Sequence, residues 1–550
     1  MSIVNFVVFT LLMGCGFMFS QNQAGQSPAL HSNVVKHIRA RIELVGPYAK
    51  TVCYKGEYCR SSKLLEFYIN RQYRPVWSDN ACLLSSAGAM FFALQQARQD
   101  GLAPEDYHLS AIESLIGQIY IASLQDKRPE LKIAELDLLL TDAFLLYASH
   151  LANGRVKMRQ YATDFSNDID NLPDFLEKGL HSNILEAIDS VKPTRQEYKN
   201  LALALNRYQE IMKQGGWPVI PPGPALKQGS KGERVVLLHK RLAMSGDLKD
   251  VDDKGSDVFG PALDQAVRHF QKRQGLKDDG VAGSGTLAAL NVSPAGHLRK
   301  IELNMERWRW LPKELGDRYI RVDIPKFRLN VIEKEQSVLS MRVVVGKLER
   351  PTPLVGKPMT YLVLNPFWYI PPKIAVEDKL PLIRRDPGYF SRNNIRVYRG
   401  GMQLDPRRIN WSSVGKGYFP FKLRQTPGTH NALGRIKFMF PNKYSVYLHD
   451  TPTKHLFSQS VRTYSSGCIR IEKPVDLAEY LLQDQPGWNK EKIRSIITTD
   501  KSHTITLKNH VPVYLMYWTA WADDEGFVSF GPDMYGLDSI MDKEMPKKAY

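Results

Sequence analysis

Residues 447–470 read YLHDTPTKHLFSQSVRTYSSGCIR. The stretch opens at the end of strand-like sequence, Lys443–His449, and strand-like sequence resumes at Cys468–Ile471, followed by a helical run Val475–Leu482. A β-rich domain is expected around it. Two strands joined by a loop of this length bring their ends side by side, so His449 and Cys468, 19 positions apart, can meet. Tyr447, two before His449, points to the same face of its strand. A cysteine attacks an amide as its thiolate, and a neighbouring imidazole both takes the thiol proton and later returns it to the leaving amine. Cys468 is therefore the expected nucleophile and His449 the expected general base and acid. Gly467 lets the backbone approach a substrate, and the amides of Gly467 and Cys468 can point at a developing oxyanion. One His and one Cys alone are as readily packing residues. Tyr447 either lines the pocket or fills the core, and Arg470 either grips a substrate carboxylate or braces the loop. Together with Ser465 and Ser466 they are the expected substrate contacts. His455 reads as structural. No close His/Cys/Asp/Glu set has ligand spacing, so neither a metal nor a cofactor is expected.

Working outward, Tyr319–Ile324, Arg328–Ile332, Met341–Val345 and Met359–Leu364 are short β-branched or alternating runs between turn residues. They predict the remaining strands of a domain over 317–515, with 516–550 a C-terminal tail. Lys373–Phe421 interrupts it with charged, Gly-rich, irregular sequence, long enough to be an insertion (about 373–421) that covers a cleft. Further back, Gly232–Ser245, Pro261–Gln274 and Ser284–Leu290 carry apolar residues at helical spacing and predict a compact three-helix unit over 227–292. The proline-rich 217–226 (WPVIPPGPAL) reads as a linker. Residues 38–220 predict a helical domain, with Ala87–Arg98 and Lys132–Leu151 as helices and a turn at Asp100–Pro104. The polar clusters Tyr73–Trp77, Gly101–His108 and His150–Val156 read as packing and turn chemistry. The fold class expected is multi-domain α+β.

A chain of 550 residues is too long for one core. The formal charge of +17 points to an anionic partner, a carboxylate-rich polymer or membrane surface as well as nucleic acid. The charge is diffuse and no recognised basic module is present, so no nucleic-acid partner is expected. Residues 3–19 are uncharged and apolar, about the length of a signal-peptide core, so 1–24 reads as a signal peptide or membrane anchor. No Lys or Arg precedes the run, which leaves an anchor open, and Leu12–Cys15 faintly resembles a lipoprotein processing site at Cys15. Of the remaining cysteines, two among Cys53, Cys59 and Cys82 could pair in an exported protein, whereas Cys468 stands far from all of them.

The phrases H-x-T-P at His449 and S-x-G-C-x-R at Cys468, at this spacing, are similar to the signature of the YkuD-like L,D-transpeptidase catalytic domain. Leu303–Pro312 (LNMERWRWLP) and Asn431–Gly434 (NALG) resemble the large periplasmic subgroup of Gram-negative bacteria. FQKRQGL at 270–276 and DGVAGSGTLAALN at 279–291 look like a peptidoglycan-binding domain, and the helical region resembles that subgroup's scaffold domain. The resemblance implies a helical scaffold domain, a three-helix peptidoglycan-binding domain and a β-rich catalytic domain with an inserted lid-like subdomain. It implies a periplasmic location, partners that are peptidoglycan stem peptides and glycan, and inner-membrane association through the N-terminal segment. Asp450 stands where Gly or Ser often follows the histidine, and Ser466 where a second histidine is frequent. In the family a main-chain carbonyl after the histidine orients it, a part open to Asp450 by main chain or side chain.

The reaction implied is attack of Cys468 on the carbonyl of the third stem residue, loss of the terminal D-Ala, and transfer of the thioester to an amine of a neighbouring stem to form a 3–3 cross-link. Hydrolysis, or attachment of a lipoprotein to the wall, would use the same acyl-enzyme with another acceptor. A papain-like peptidase fits poorly, because there the Cys precedes the His and begins a helix. A wall-binding scaffold without catalysis is the rival from another class.

Overall fold

The computed structural model describes residues 27–43, 52–54, 57–58, 63–79, 82–125, 129–156, 169, 171–248 and 256–545. The leader with Cys15, the residue Cys59 and the side chain of Cys53 lie outside the described residues, and with them the expectations about export, lipidation and disulfide pairing. Among the described residues no helix is long and apolar enough to cross a membrane.

The N-terminal region is helical because one helix, Glu130–Asn153, is apolar on nearly every face and so has to be wrapped. Ser27–Glu43, Leu64–Asn70, Ser85–Gln95, Leu109–Leu124 and Leu172–His181 surround it. Of its two most deeply buried acids, Asp142 meets His108 Nε2 at 2.9 Å, and Asp137 accepts from the Val76 and Trp77 amides and from the Tyr68 hydroxyl at 2.6 Å. Tyr73–Trp77 is thus part of a satisfied packing hub, and burial pushes the Asp137 carboxyl up to about 6.

The helix Pro294–Arg309 is the spine of the molecule. Its buried Glu306 accepts from the Val156 amide, Arg309 reaches Tyr198, and Arg307 pairs with Asp538 at 2.6 Å. The three-helix unit, Glu233–Ser245, Pro261–Arg273 and Ser284–Leu290, packs Val235, Leu238, Val267, Phe270 and Leu290 into its own core. The proline-rich segment before it holds no helix or strand, but it is more than a spacer. Trp217 lies under the Arg241 guanidinium at 3.6 Å, and Ile220 exchanges two hydrogen bonds with Asn291.

The C-terminal half is built on strands β1 Arg318–Asp323, β2 Arg328–Glu333, β3 Gln336–Gly346 and β4 Val355–Leu364. An excursion follows with β5 Trp368–Ile370, β6 Ile395–Arg399, β7 Met402–Leu404 and β8 Lys422–Gln425. The main sheet then continues with β9 Ile436–Met439, β10 Leu448–His449, β11 Thr463–Ser465, β12 Ile469–Ile471 and β13 His503–Met516. Its order is β11-β3-β12-β10-β9-β4-β13-β1-β2, and β2 also pairs with β3. The sheet therefore closes on itself and leaves only β11 as a flap, which removes the exposed edges of an open sheet.

The inserted subdomain is wider than the irregular sequence suggested. Its antiparallel sheet β7-β6-β8-β5 uses strands on both sides of 373–421, and its core of Trp368, Phe390, Val397, Trp411, Leu423 and Leu433 reaches as far as Leu433. Residues 516–545 are not a tail. Tyr517 and Met541 belong to the barrel core, and Trp518, Val528 and Phe530 seal it against the spine and the helix Gln196–Lys213. The sequence signal there was weak because the segment is short strands and one short helix separated by polar turns.

Candidate active site

Register alone brings the chemical groups together. β10 runs parallel to β12 with His449 opposite Arg470, and antiparallel to β9 with His449 opposite Lys437. Side chains directly opposite share a face, and residues two apart do too, so Lys437, Tyr447, His449, Cys468 and Arg470 all project on one side. Tyr447 and His449 meet edge to face at 5.8 Å between centroids, and the Lys437 ammonium sits 4.0 Å over the Tyr447 ring. The inserted subdomain abuts this face, with Tyr447 packed against its core.

His449 is buried, and its Nδ1 lies 2.5 Å from the Asp450 main-chain oxygen. The Asp450 carboxylate points elsewhere, accepting from the Arg435 amide at 2.8 Å and from Lys454. Burial, reinforced by the charges of Arg470 and Lys437, pushes the imidazole down to about 3, so it is neutral at physiological pH. Burial also raises the Cys468 thiol, opposed by hydrogen bonds from Tyr447 and by the charges of Lys437 and Arg470. Burial likewise lowers Lys437 and Arg470, and the Cys468 sulfur is the group that favours their charged forms. Arg470 donates to Thr453 Oγ1 at 3.1 Å, and its Nε has no partner among the described residues.

The turn before Cys468 is tied from within. Gly467 adopts φ +108°, a conformation that favours glycine. The Ser465 hydroxyl donates to the Cys468 carbonyl at 2.5 Å and accepts from the Gly467 amide at 3.2 Å. This corrects two expectations. Ser465 is buried and holds the turn, so it is not placed to touch substrate, and the Gly467 N–H is already partnered, so it is not free to serve an oxyanion. The Cys468 N–H makes no hydrogen bond within the described residues. Ser466 is exposed and accepts from Arg350, whose guanidinium also pairs with Glu377 and Asp378 of the inserted subdomain at 2.6–2.8 Å. His455 is exposed on a 3-10 turn. Lys437 escaped the sequence reading because only the β9–β10 register sets it opposite His449.

The family model for the L,D-transpeptidase catalytic domain matches residues 317–493, and that for a scaffold domain residues 62–205. The model described as "Putative peptidoglycan binding domain" matches residues 231–290. A Haemophilus influenzae protein described as "Putative L,D-transpeptidase" is 35% identical over 241 residues, 44% of this chain and 48% of that protein. The chain thus spans about half the length of this curated relative. Among solved structures, an L,D-transpeptidase from Xylanimonas cellulosilytica is 20% identical, covering 54% of this chain and 100% of that one at TM-score 0.16. One from Stackebrandtia nassauensis is 14% identical, covering 54% and 96% at TM-score 0.20. Scores this low carry no argument of their own.

Proposed function

We propose that the chain, whose parts match the models of an L,D-transpeptidase catalytic domain, a scaffold domain and a peptidoglycan-binding domain, cross-links peptidoglycan stem peptides through a thioester on Cys468. The observation that supports the reading is the placement of Cys468 directly before β12, the strand that runs parallel to β10 and its His449, with His449 Nδ1 on the Asp450 carbonyl. That contact fixes the tautomer in which Nε2 is the base, as a triad's third member does.

The resting pair is a neutral imidazole and a thiol. His449 takes the Cys468 proton as the sulfur adds to the carbonyl of the third stem residue, and returns it to the D-Ala amine that leaves. The thioester then acylates an amine of a second stem, giving a 3–3 cross-link. Stem peptides carry carboxylates, and Arg470 and Lys437 supply positive charge beside the sulfur, so Arg470 is the residue we assign to the substrate carboxylate. Tyr447 lines the acyl pocket and Ser466 its rim. The inserted subdomain keeps water from the thioester and so favours the amine acceptor. Such an enzyme works outside the cytoplasm, in the periplasm, delivered or anchored by its N-terminal segment.

The test is incubation of the protein with tetrapeptide-bearing muropeptides beside a Cys468→Ala control, resolved by mass. Cross-linked dimers that have lost one D-Ala, absent from the control, are expected. Tripeptide alone would make the enzyme a carboxypeptidase, and no Cys468-dependent product would defeat the reading. If replacing the insertion with a short linker leaves the ratio of dimer to tripeptide unchanged, the shielding role is wrong.

A further inference from the structure

Thr352 lies in the β3–β4 connection, away from the chemical face, yet it is bonded to both sides of the nucleophile's support. It is buried, and its hydroxyl accepts from the Gly346 amide at 2.9 Å and donates to the Gly467 carbonyl at 2.9 Å. The connection itself is rigid. A Cβ at Gly346 would meet the Thr352 nitrogen at 2.7 Å, and the Tyr535 hydroxyl donates to the Gly346 carbonyl at 2.6 Å.

The Gly467 carbonyl and the Cys468 N–H belong to one peptide unit. Because that unit is planar and trans, its C=O and N–H point in opposite directions. A hydrogen bond that fixes the carbonyl on Thr352 fixes the N–H on the far side, away from the β3–β4 connection. Among the described residues that N–H makes no hydrogen bond, as is also true of the Ser466 N–H one step further from the sulfur, whereas the neighbouring Gly467 N–H is held by Ser465. We propose that Thr352 is a positioning residue: by holding the Gly467 carbonyl it aims the Cys468 N–H as the oxyanion donor of the acylation step. A freely rotating peptide at glycine, with its wide conformational range, would present that donor only part of the time. This inference rests on Cys468 being the nucleophile.

Two reactions of the same sulfur separate aim from mere integrity. With a carbapenem the sulfur adds to the ring carbonyl, whose electron pair moves onto oxygen; the ring C–N bond then breaks and nitrogen takes a proton. With iodoacetamide the thiolate displaces iodide and no oxyanion forms. Thr352→Val keeps the shape and removes the hydroxyl; Thr352→Ser keeps the hydroxyl. In Thr352→Val the acylation rate should fall about thirtyfold, less than the hundredfold or more that follows outright loss of an oxyanion donor because the donor is misaimed and not removed, while alkylation changes by less than about twofold. Thr352→Ser should recover most of the acylation rate. Equal loss in both reactions, or wild-type acylation in Thr352→Val, overturns the proposal. Should the valine variant unfold, Thr352→Ala is read by the same ratio. A wild-type protein that takes no acyl group at all would instead defeat the transpeptidase reading, leaving the two failures distinct.

Discussion

At the residue scale, the chemistry turns on two groups whose charges are both suppressed. With His449 pushed down to about 3, the imidazole does not titrate between pH 5 and 8. With the Cys468 thiol raised above its ordinary value, the thiolate fraction is small at neutral pH and grows as pH rises past 9. Alkylation by iodoacetamide should therefore climb steadily into the alkaline range with no shoulder near 6.5, and such a shoulder would reveal a titrating imidazole. Lys437 is a cation that favours the thiolate, so Lys437→Met should slow alkylation at pH 8 by about threefold, the size of one partly screened charge. Arg470→Gln should raise KM for a tetrapeptide donor more than it lowers kcat. His449, Cys468 and Gly467 were legible in the sequence because they sit in a dense phrase. Lys437 and the bond from Ser465 into the turn were not, since each depends on a strand register or a hydroxyl rotamer that no local pattern encodes.

At the scale of elements, the bend between the inserted subdomain and β9 is held by Gly434, at φ +62°, packed on the Asp450 side chain. A methyl group there would both strain the backbone and displace Asp450, whose main chain holds His449. Gly434→Ala should cost about 1–3 kcal/mol of stability and lower activity further than the melting shift explains, read by urea unfolding beside the muropeptide assay. The three helices of the 231–290 unit were readable because their apolar spacing repeats cleanly. The reach of the insertion was not, because β5 (WYI) is as apolar as the barrel strand before it while β8 (KLRQ) carries a single apolar residue, and only their pairing puts both in the inserted sheet.

At the scale of the whole molecule, scaffold, wall-binding unit and barrel meet around His297. Its ring stacks on Phe530 at 4.2 Å beside Trp217 and Tyr208, and burial with nearby Arg241, Arg273 and Lys300 pushes it down to about 3. The unfolded chain binds this proton near pH 6.5 and the folded protein does not. Stability is thus lost as pH falls from about 6.5 toward 3, by roughly 2 kcal/mol from this one group at pH 5. In urea unfolding, His297→Phe should shrink the stability lost between pH 7.5 and 5 by about that amount. Composition and periodicity announced several domains, yet they were silent on this junction, which draws single residues from distant parts of the chain. The brace from Tyr535 to Gly346 is of the same long-range kind. A ribosome makes Cys468 well before Tyr535, and a translocating chain delivers them in the same order. The thiol therefore emerges into a turn that is not yet shaped, and an incomplete chain carries a nucleophile without a working catalyst. Synthesis order thereby becomes a safeguard: under the proposed function, no half-made enzyme acts on its polymer before the segment that shapes the nucleophile's turn has been made.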